Sequence, residues 1–295
     1  MEWYIFALLA PAFWALNNVF IKFLITNKYK SYFPMIFTVI SMDAIFAIAI
    51  AALTSISTIF PYSILALLAG LMPLLAFWFY LNALIKEEVT RITTLFQLIP
   101  VFVALISPVL LNEILSVQKY AGIALIVTAS ILISYKKSGT KSFSSALKFM
   151  IPFGIIIATY TVIDKILLGY LDFLSVFFWN IMGTLTGALC LLSISKLRQE
   201  ATRTISAVGK KVVFTTFIGE GLYVMGTICS LIALSLTDAP LASAFFGLQP
   251  FYVFFYMLLL SLFLPSILNE PKTKQIILLK TSAIALTFIG TWLVI

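Results

Sequence analysis

Apolar runs of about 20 residues, separated by short polar breaks, follow one another along the whole chain. A helix rises about 1.5 Å per residue, so roughly 20 such residues cross the ~30 Å hydrocarbon core of a bilayer. The pattern predicts ten spanning helices: Trp3–Ile25, Phe33–Leu53, Tyr62–Leu84, Arg91–Leu111, Lys119–Tyr135, Phe149–Tyr170, Phe173–Ile194, Val212–Leu236, Leu241–Leu264 and Ile276–Ile295. The longer connections are 136–148, 195–211 and 265–275, and none leaves room for a soluble catalytic domain. The run from Trp3 has no basic stretch before it and no small-residue cleavage site, so it reads as a retained helix. The predicted fold class is all-α integral membrane.

The halves echo each other. Phe96-Gln97-Leu98-Ile99-Pro100 aligns with Phe246-Gly247-Leu248-Gln249-Pro250, and Glu88 with Asp238. Phe13 to Lys22 aligns with Ile156 to Lys165, and Leu111-Asn112-Glu113 with Leu268-Asn269-Glu270. An odd number of helices per copy inverts the second copy. The expectation is ten transmembrane helices as two inverted five-helix repeats, residues 1–136 and 149–295, joined by a cytoplasmic linker over 137–148. Such layouts place a binding site near the midplane between the halves.

Composition narrows the class. The chain is 62% hydrophobic and 10% charged, without histidine. A soluble domain is about half apolar and a quarter charged. Cys190 and Cys229 lie inside apolar runs and read as small buried hydrophobes, with no disulfide or metal-site spacing. The net charge of +8 is carried by loops, which argues against nucleic acid as a partner. Ten crossings put both termini on one side. Lysines and arginines crowd the odd-numbered connections, and Lys119 alone lies on the other side. The positive-inside rule then places the odd loops in the cytoplasm and both termini outside, in a cytoplasmic (inner) membrane.

The candidate chemistry is acidic. Asp43 and Glu220 fall about ten residues into their helices, roughly 15 Å deep. A charge at that depth costs about 3 kcal/mol or more unless it faces a bundle interior or a watery cavity. Thr216, Glu220, Tyr223, Thr227 and Ser230 share one face of the eighth helix. The equivalent face of the third helix carries Gly70, Pro73, Phe77 and Tyr80. No lysine or arginine reaches the midplane, which disfavours an anionic substrate. An amine-bearing solute such as an amino acid, a lipophilic cation, or proton exchange all remain open. The rival reading of each acid is a neutral buried carboxyl bonded to a neighbouring helix.

Trp14 and Asn18 form a stripe with Pro11 and Lys22, with Asn17 beside it. This patch is either a substrate contact or helix-packing glue. Lys22 and Lys165 are repeat equivalents near opposite faces, either gates or snorkelling anchors. Pro100 and Pro250 each remove a backbone donor and free a carbonyl at Phe96 and Phe246. With Gln97, Gly247 and Gln249 beside them, they predict bent, cavity-lining helices, the rival being static kinks. There is no histidine-based triad, metal cluster or phosphate loop, so neither an enzyme nor a cofactor is expected.

The first-helix pattern Ala10-Pro-Ala-Phe-Trp14…Asn17-Asn18…Lys22 carries a resemblance along nearly the whole chain. So does Pro100…Leu111-Asn112-Glu113 followed by Gln118…Gly122-Ile-Ala-Leu-Ile. The chain resembles the drug/metabolite transporter superfamily, EamA type, which usually shows Gly-Glu where this chain has Asn112-Glu113 and Asn269-Glu270. The resemblance implies ten helices in two inverted bundles, alternating access, and export or exchange of small metabolites. Many such members keep their termini inside; the charge count here places them outside. The combined reading is a secondary transporter of a small solute, driven by protons or by exchange, with Trp14, Asn18, Asp43, Tyr80, Gln97, Glu220, Tyr223 and Gln249 at the site. Its rivals are a lipid or lipophilic-compound flippase, a membrane-embedded enzyme and a structural subunit.

Overall fold

A computed structural model describes residues 2–27, 32–84, 95–134, 143–207, 209–263 and 274–294. Every regular element among them is a helix. In chain order these are α1 (Trp3–Asn27), α2 (Tyr32–Leu53), α3 (Tyr62–Ala69), α4 (Leu71–Leu84), α5 (Leu98–Leu110), α6 (Val117–Ser134) and α7 (Phe143–Leu167). Then follow α8 (Phe173–Leu191), α9 (Ser195–Ala207), α10 (Lys210–Leu236), α11 (Ala239–Phe246), α12 (Gln249–Phe263) and α13 (Lys274–Val294). Each of the ten apolar segments is mainly helical over its described residues, with breaks inside some of them. Five described helices are long and apolar enough to cross a membrane: Met35–Leu53, Tyr62–Tyr80, Leu147–Leu167, Phe173–Leu191 and Lys210–Leu236.

The outside of the bundle is as apolar as the inside. Ile48, Trp78, Leu105 and Phe288 stand 56%, 56%, 64% and 73% exposed in the middle of helices. Water would penalise such a surface; lipid does not. The buried positions favour small residues, with Ala7, Ala10, Ala15, Ala47, Ala76 and Ala83 fully or almost fully covered. Small residues let membrane helices approach closely where no hydrophobic force drives them together.

Packing partners come in matched sets. α1 lies on α10, and α7, its counterpart in the second half, lies on α4. α1 also touches α12 as α7 touches α5. α2 packs on α8, and α6 on α13. α3 crosses α8 so tightly that a Cβ added at Gly70 would lie 2.0 Å from the Asn180 carbonyl oxygen, and one at Gly183 would lie 1.9 Å from that of Leu67. Only glycine permits that crossing. Thr184 Oγ1 donates to the Gly70 carbonyl at 2.6 Å in the same seam.

Three details depart from the sequence expectation. The third span is interrupted at Gly70, between α3 and α4. α7 begins at Phe143, inside the stretch expected as a connection; Leu147, Met150 and Phe153 give it an inward stripe packed against Ala83, Tyr80 and Leu95. The polar stretch after residue 194 is largely a helix, α9, docked on α2. Its Leu197 and Ala201 face inward at helical spacing while Lys196 and Arg198 are exposed, the pattern of a helix lying at a membrane surface.

Candidate solute site at the centre of the bundle

Glu220 lies near the middle of α10 and is only 1% exposed. α2 brings Asp43 to it, and the two carboxyls meet within hydrogen-bonding contact. α1 adds the Asn17 side chain to the same carboxyl. A hydrogen bond between two carboxyls requires a proton on one of them, so this contact carries at most one negative charge. Asn17 Oδ1, Asp43 Oδ1 and Glu220 Oε2 are buried without a hydrogen-bond donor.

One turn along α10, Tyr223 stands within electrostatic reach of Asp43, Glu220 and Asp164. Its hydroxyl bonds the Thr227 side chain, whose Oγ1 accepts from Trp14 Nε1 at 3.3 Å. Beyond Tyr223 is a second acid. Asp164 of α7 is 3% exposed and its Oδ1 accepts from Asn180 Nδ2 at 2.8 Å. The same amide nitrogen donates to the Tyr160 hydroxyl at 3.0 Å. Asn180 Oδ1 has no donor. Five helices, α1, α2, α7, α8 and α10, thus supply one polar column through an otherwise apolar bundle.

The structure brings Trp14, Asp43, Glu220 and Tyr223 together and distributes the other candidates elsewhere. Asn18 is exposed; Asn17 reaches the acid instead, because consecutive helical residues point about 100° apart. Tyr80 packs among Phe77, Phe96 and Phe153, with ring centroids 5.6–6.0 Å away. Gln97 is buried, and its Nε2 donates to the Gly247 carbonyl at 3.0 Å. Gln249 opens α12 and is half-buried. The chain leaves helical form at Phe96–Gln97 and at Gly247–Leu248, and Pro100 and Pro250 sit in the first turns that follow, where a missing N–H costs nothing. Lys165 Nζ donates to the carbonyls of Leu234 and Thr237 at 2.7 and 2.8 Å, closing the C-terminus of α10. Lys22 belongs to α1, with its side chain outside the described part; Glu88, Arg91, Asn269 and Glu270 lie outside the described residues altogether.

Sequence reasoning passed over Asp164, Tyr160 and Asn180. Asp164 adjoins Lys165 in the sequence, but neighbours on a helix diverge, so the two need not pair. The available signal was Tyr160 and Asp164 four residues apart, on one face. It also passed over Glu113, whose Oε2 accepts from Ser107 Oγ and, at 2.9 Å, from the backbone N–H of Ala239 at the start of α11. Preceding it, Asn112 has φ 56°. Asparagine and glycine are the residues that tolerate this left-handed conformation, which accounts for Asn where the family pattern has Gly.

The acids are sealed. Cavities that open elsewhere among the described residues include two whose walls carry no carboxylate. One of about 600 Å³ is bounded by Leu8, Phe251, Tyr252, Thr287, Phe288 and Trp292 on α1, α12 and α13. Another of about 320 Å³ is bounded by Met42, Lys210, Val213, Phe214 and Phe217.

A lipid-matched helical surface around a buried polar column defines a multi-pass membrane protein. Residues 1–135 match the EamA-like transporter family, in agreement with the resemblance read from the sequence. That family comprises membrane transporters of the drug/metabolite type, which move small-molecule solutes and are not enzymes. One crystal structure of a protein is similar over 98% of this chain and 94% of its own, with a TM-score of 0.71 and 15% identity, a likeness of fold alone. No curated protein matches the chain.

Proposed function

We propose that the protein is a secondary transporter that binds an amine-bearing solute, such as an amino acid, at the Asp43 and Glu220 carboxyls. The observation that carries this reading is the chemistry of the unpartnered atoms. Asn17 Oδ1, Asp43 Oδ1 and Glu220 Oε2 are all acceptors. A buried acceptor without a donor costs about 1–3 kcal/mol. A ligand that brings several N–H donors and a positive charge satisfies all three; an anion satisfies none. Trp14 and Tyr223 would flank it. Residues 1–136 and 149–295 act as inverted repeats that rock about the site, and matched packing of α1 on α10 and α7 on α4 supports that division. The basic connections face the cytoplasm and the termini face outward, in the cytoplasmic membrane. Protons or a second solute drive the cycle.

The test is ligand stabilisation of the purified protein against amino acids, amines and nucleosides, repeated with Glu220→Gln. Ligand binding raises the melting temperature by mass action. The reading expects stabilisation by amines or amino acids that weakens about 30-fold in the variant, the equivalent of one charge-assisted hydrogen bond of ~2 kcal/mol. Stabilisation by anionic solutes only, or an unaffected variant, rejects it. The apolar cavity between α1, α12 and α13 favours the second reading, a carrier of lipids or lipophilic compounds. Leu8→Trp would block that groove and spare amine binding.

A further inference from the structure

We infer that Asp164, held by Asn180 and Tyr160, is a second, proton-binding carboxyl of the central site and carries the coupling proton. This rests on the transporter reading above, and it assigns the proton to a group other than the solute-binding pair.

The geometry gives Asp164 a partner in each protonation state. Ionised, it accepts from Asn180 Nδ2 at 2.8 Å and from the Tyr160 hydroxyl. Both donors are neutral, so nothing cancels the charge. Protonated, the acid O–H supplies the donor that Asn180 Oδ1 lacks, because a carboxylic acid and a primary amide are complementary edge to edge. A purely structural carboxylate would be expected to have a cation. The nearest in sequence, Lys165, is committed to the Leu234 and Thr237 carbonyls.

The surroundings are defined on every side. α7 itself contributes Tyr160 and Lys165. α10 contributes Tyr223 and Glu220, and α2 contributes Asp43 through Tyr223. α8 supplies Asn180, and α4 has Tyr80. The described parts of α5 and α11 have no titratable side chain, and α3 has only Tyr62 at its far end. Tyr160 and Tyr223 therefore stand between two acid clusters, within electrostatic reach of each other. A positive solute at Asp43 and Glu220 and a proton on Asp164 influence one another through this pair. In the step itself a hydronium O–H bond breaks, a water leaves, and the proton binds an Asp164 carboxylate oxygen; release on the other face reverses it. Asn180 and Tyr160 are positioning residues.

Infrared difference spectroscopy of the full-length protein in lipid, titrated through pH, reads this without any solute. We expect a carboxylic-acid carbonyl band that titrates, persists in an Asp43→Asn/Glu220→Gln double variant and vanishes when Asp164→Asn is added to it. A titrating band that is already lost in the double variant, or that survives Asp164→Asn added to the double variant, overturns the assignment. If Asp164→Asn does not fold, Tyr160→Phe removes one donor and should move the midpoint of the band; an unmoved midpoint overturns it equally. Failure of the solute reading shows separately, as amine stabilisation that ignores Glu220→Gln.

Discussion

Gln97 and Gly247 occupy the same position in the two copies of the sequence repeat, and they touch: Gln97 Nε2 donates to the Gly247 carbonyl at 3.0 Å. Each sits at a break in its helix. The bond therefore satisfies a carbonyl that the interrupted helix leaves free. A Cβ at Gly247 would lie 2.9 Å from Gln97 Oε1 and 3.1 Å from the Ala244 carbonyl oxygen. The glutamine tip can swing aside, so Gly247→Ala is expected to lose the bond and about 1–2 kcal/mol of stability. Gln97→Leu should match it, and the double variant should not be worse, as thermal unfolding in detergent will show.

The crossing of α3 and α8 has no such slack. At Gly183 an added methyl meets the Leu67 carbonyl oxygen at 1.9 Å, and backbone cannot swing away. Gly183→Ala should cost about 3 kcal/mol or more through overpacking. Gly209, with nothing near it, should accept alanine without penalty. Yield of monodisperse protein and its melting temperature separate the two.

Lys165 closes the end of α10 with two hydrogen bonds. A partly buried cation at a helix C-terminus is worth up to about 2 kcal/mol. Lys165→Met should destabilise by that amount and Lys165→Arg by less, with amine binding by the folded fraction little changed. A gate would show the reverse: stability unmoved and transport lost. Paired unfolding and uptake measurements on both variants decide it.

Asp172 stands at the N-terminus of α8, and its Oδ1 accepts from the Leu174 and Ser175 N–H groups at 3.0 Å. Its Oδ2 accepts from Ser175 Oγ at 2.6 Å and Ser57 Oγ at 3.2 Å. Burial alone would push this carboxyl up, but the bonds from Ser175, Ser57 and Leu174 prevail and hold it below the usual range. A lowered folded value contributes stability that is present above the unfolded value of about 3.9 and is lost as pH falls through the folded one. Solvent screens the exposed group, so the cap itself sets the size. Asp172→Ala is expected to cost about 1 kcal/mol at neutral pH. The gap to wild type should close below pH ~4 in unfolding curves taken across acid pH.

The spans were legible because length and apolarity alone determine what can cross lipid. Phe96–Gln97 and Gly247–Leu248 were legible as bends because Pro100 and Pro250 cannot donate. Gly70 was not, since a lone glycine in an apolar run is common in membrane helices and only the α8 backbone opposite it explains the break. α9 looked like a loop because its charge outweighs the Leu197 and Ala201 spacing. Depth put Asp43 and Glu220 at similar heights, but no periodicity says that two helices from different halves face each other. Asn17 rather than Asn18 turned inward for the same reason: a stripe assigned on one helix does not name the neighbour it meets. Asp164 was not singled out, because nothing along its own helix says that Asn180 of another helix meets it.

Where α3 crosses α8, main chain rests on main chain at Gly70 and Gly183. A joint of that kind has no rotamers to exchange, so it can pivot but not slip. Asn180, whose carbonyl is part of the joint and whose amide holds Asp164, would stay on the axle of the proposed rocking motion. In the rocking cycle proposed above, prising apart the Ser57–Asp172 end would press the far ends of the same helices together.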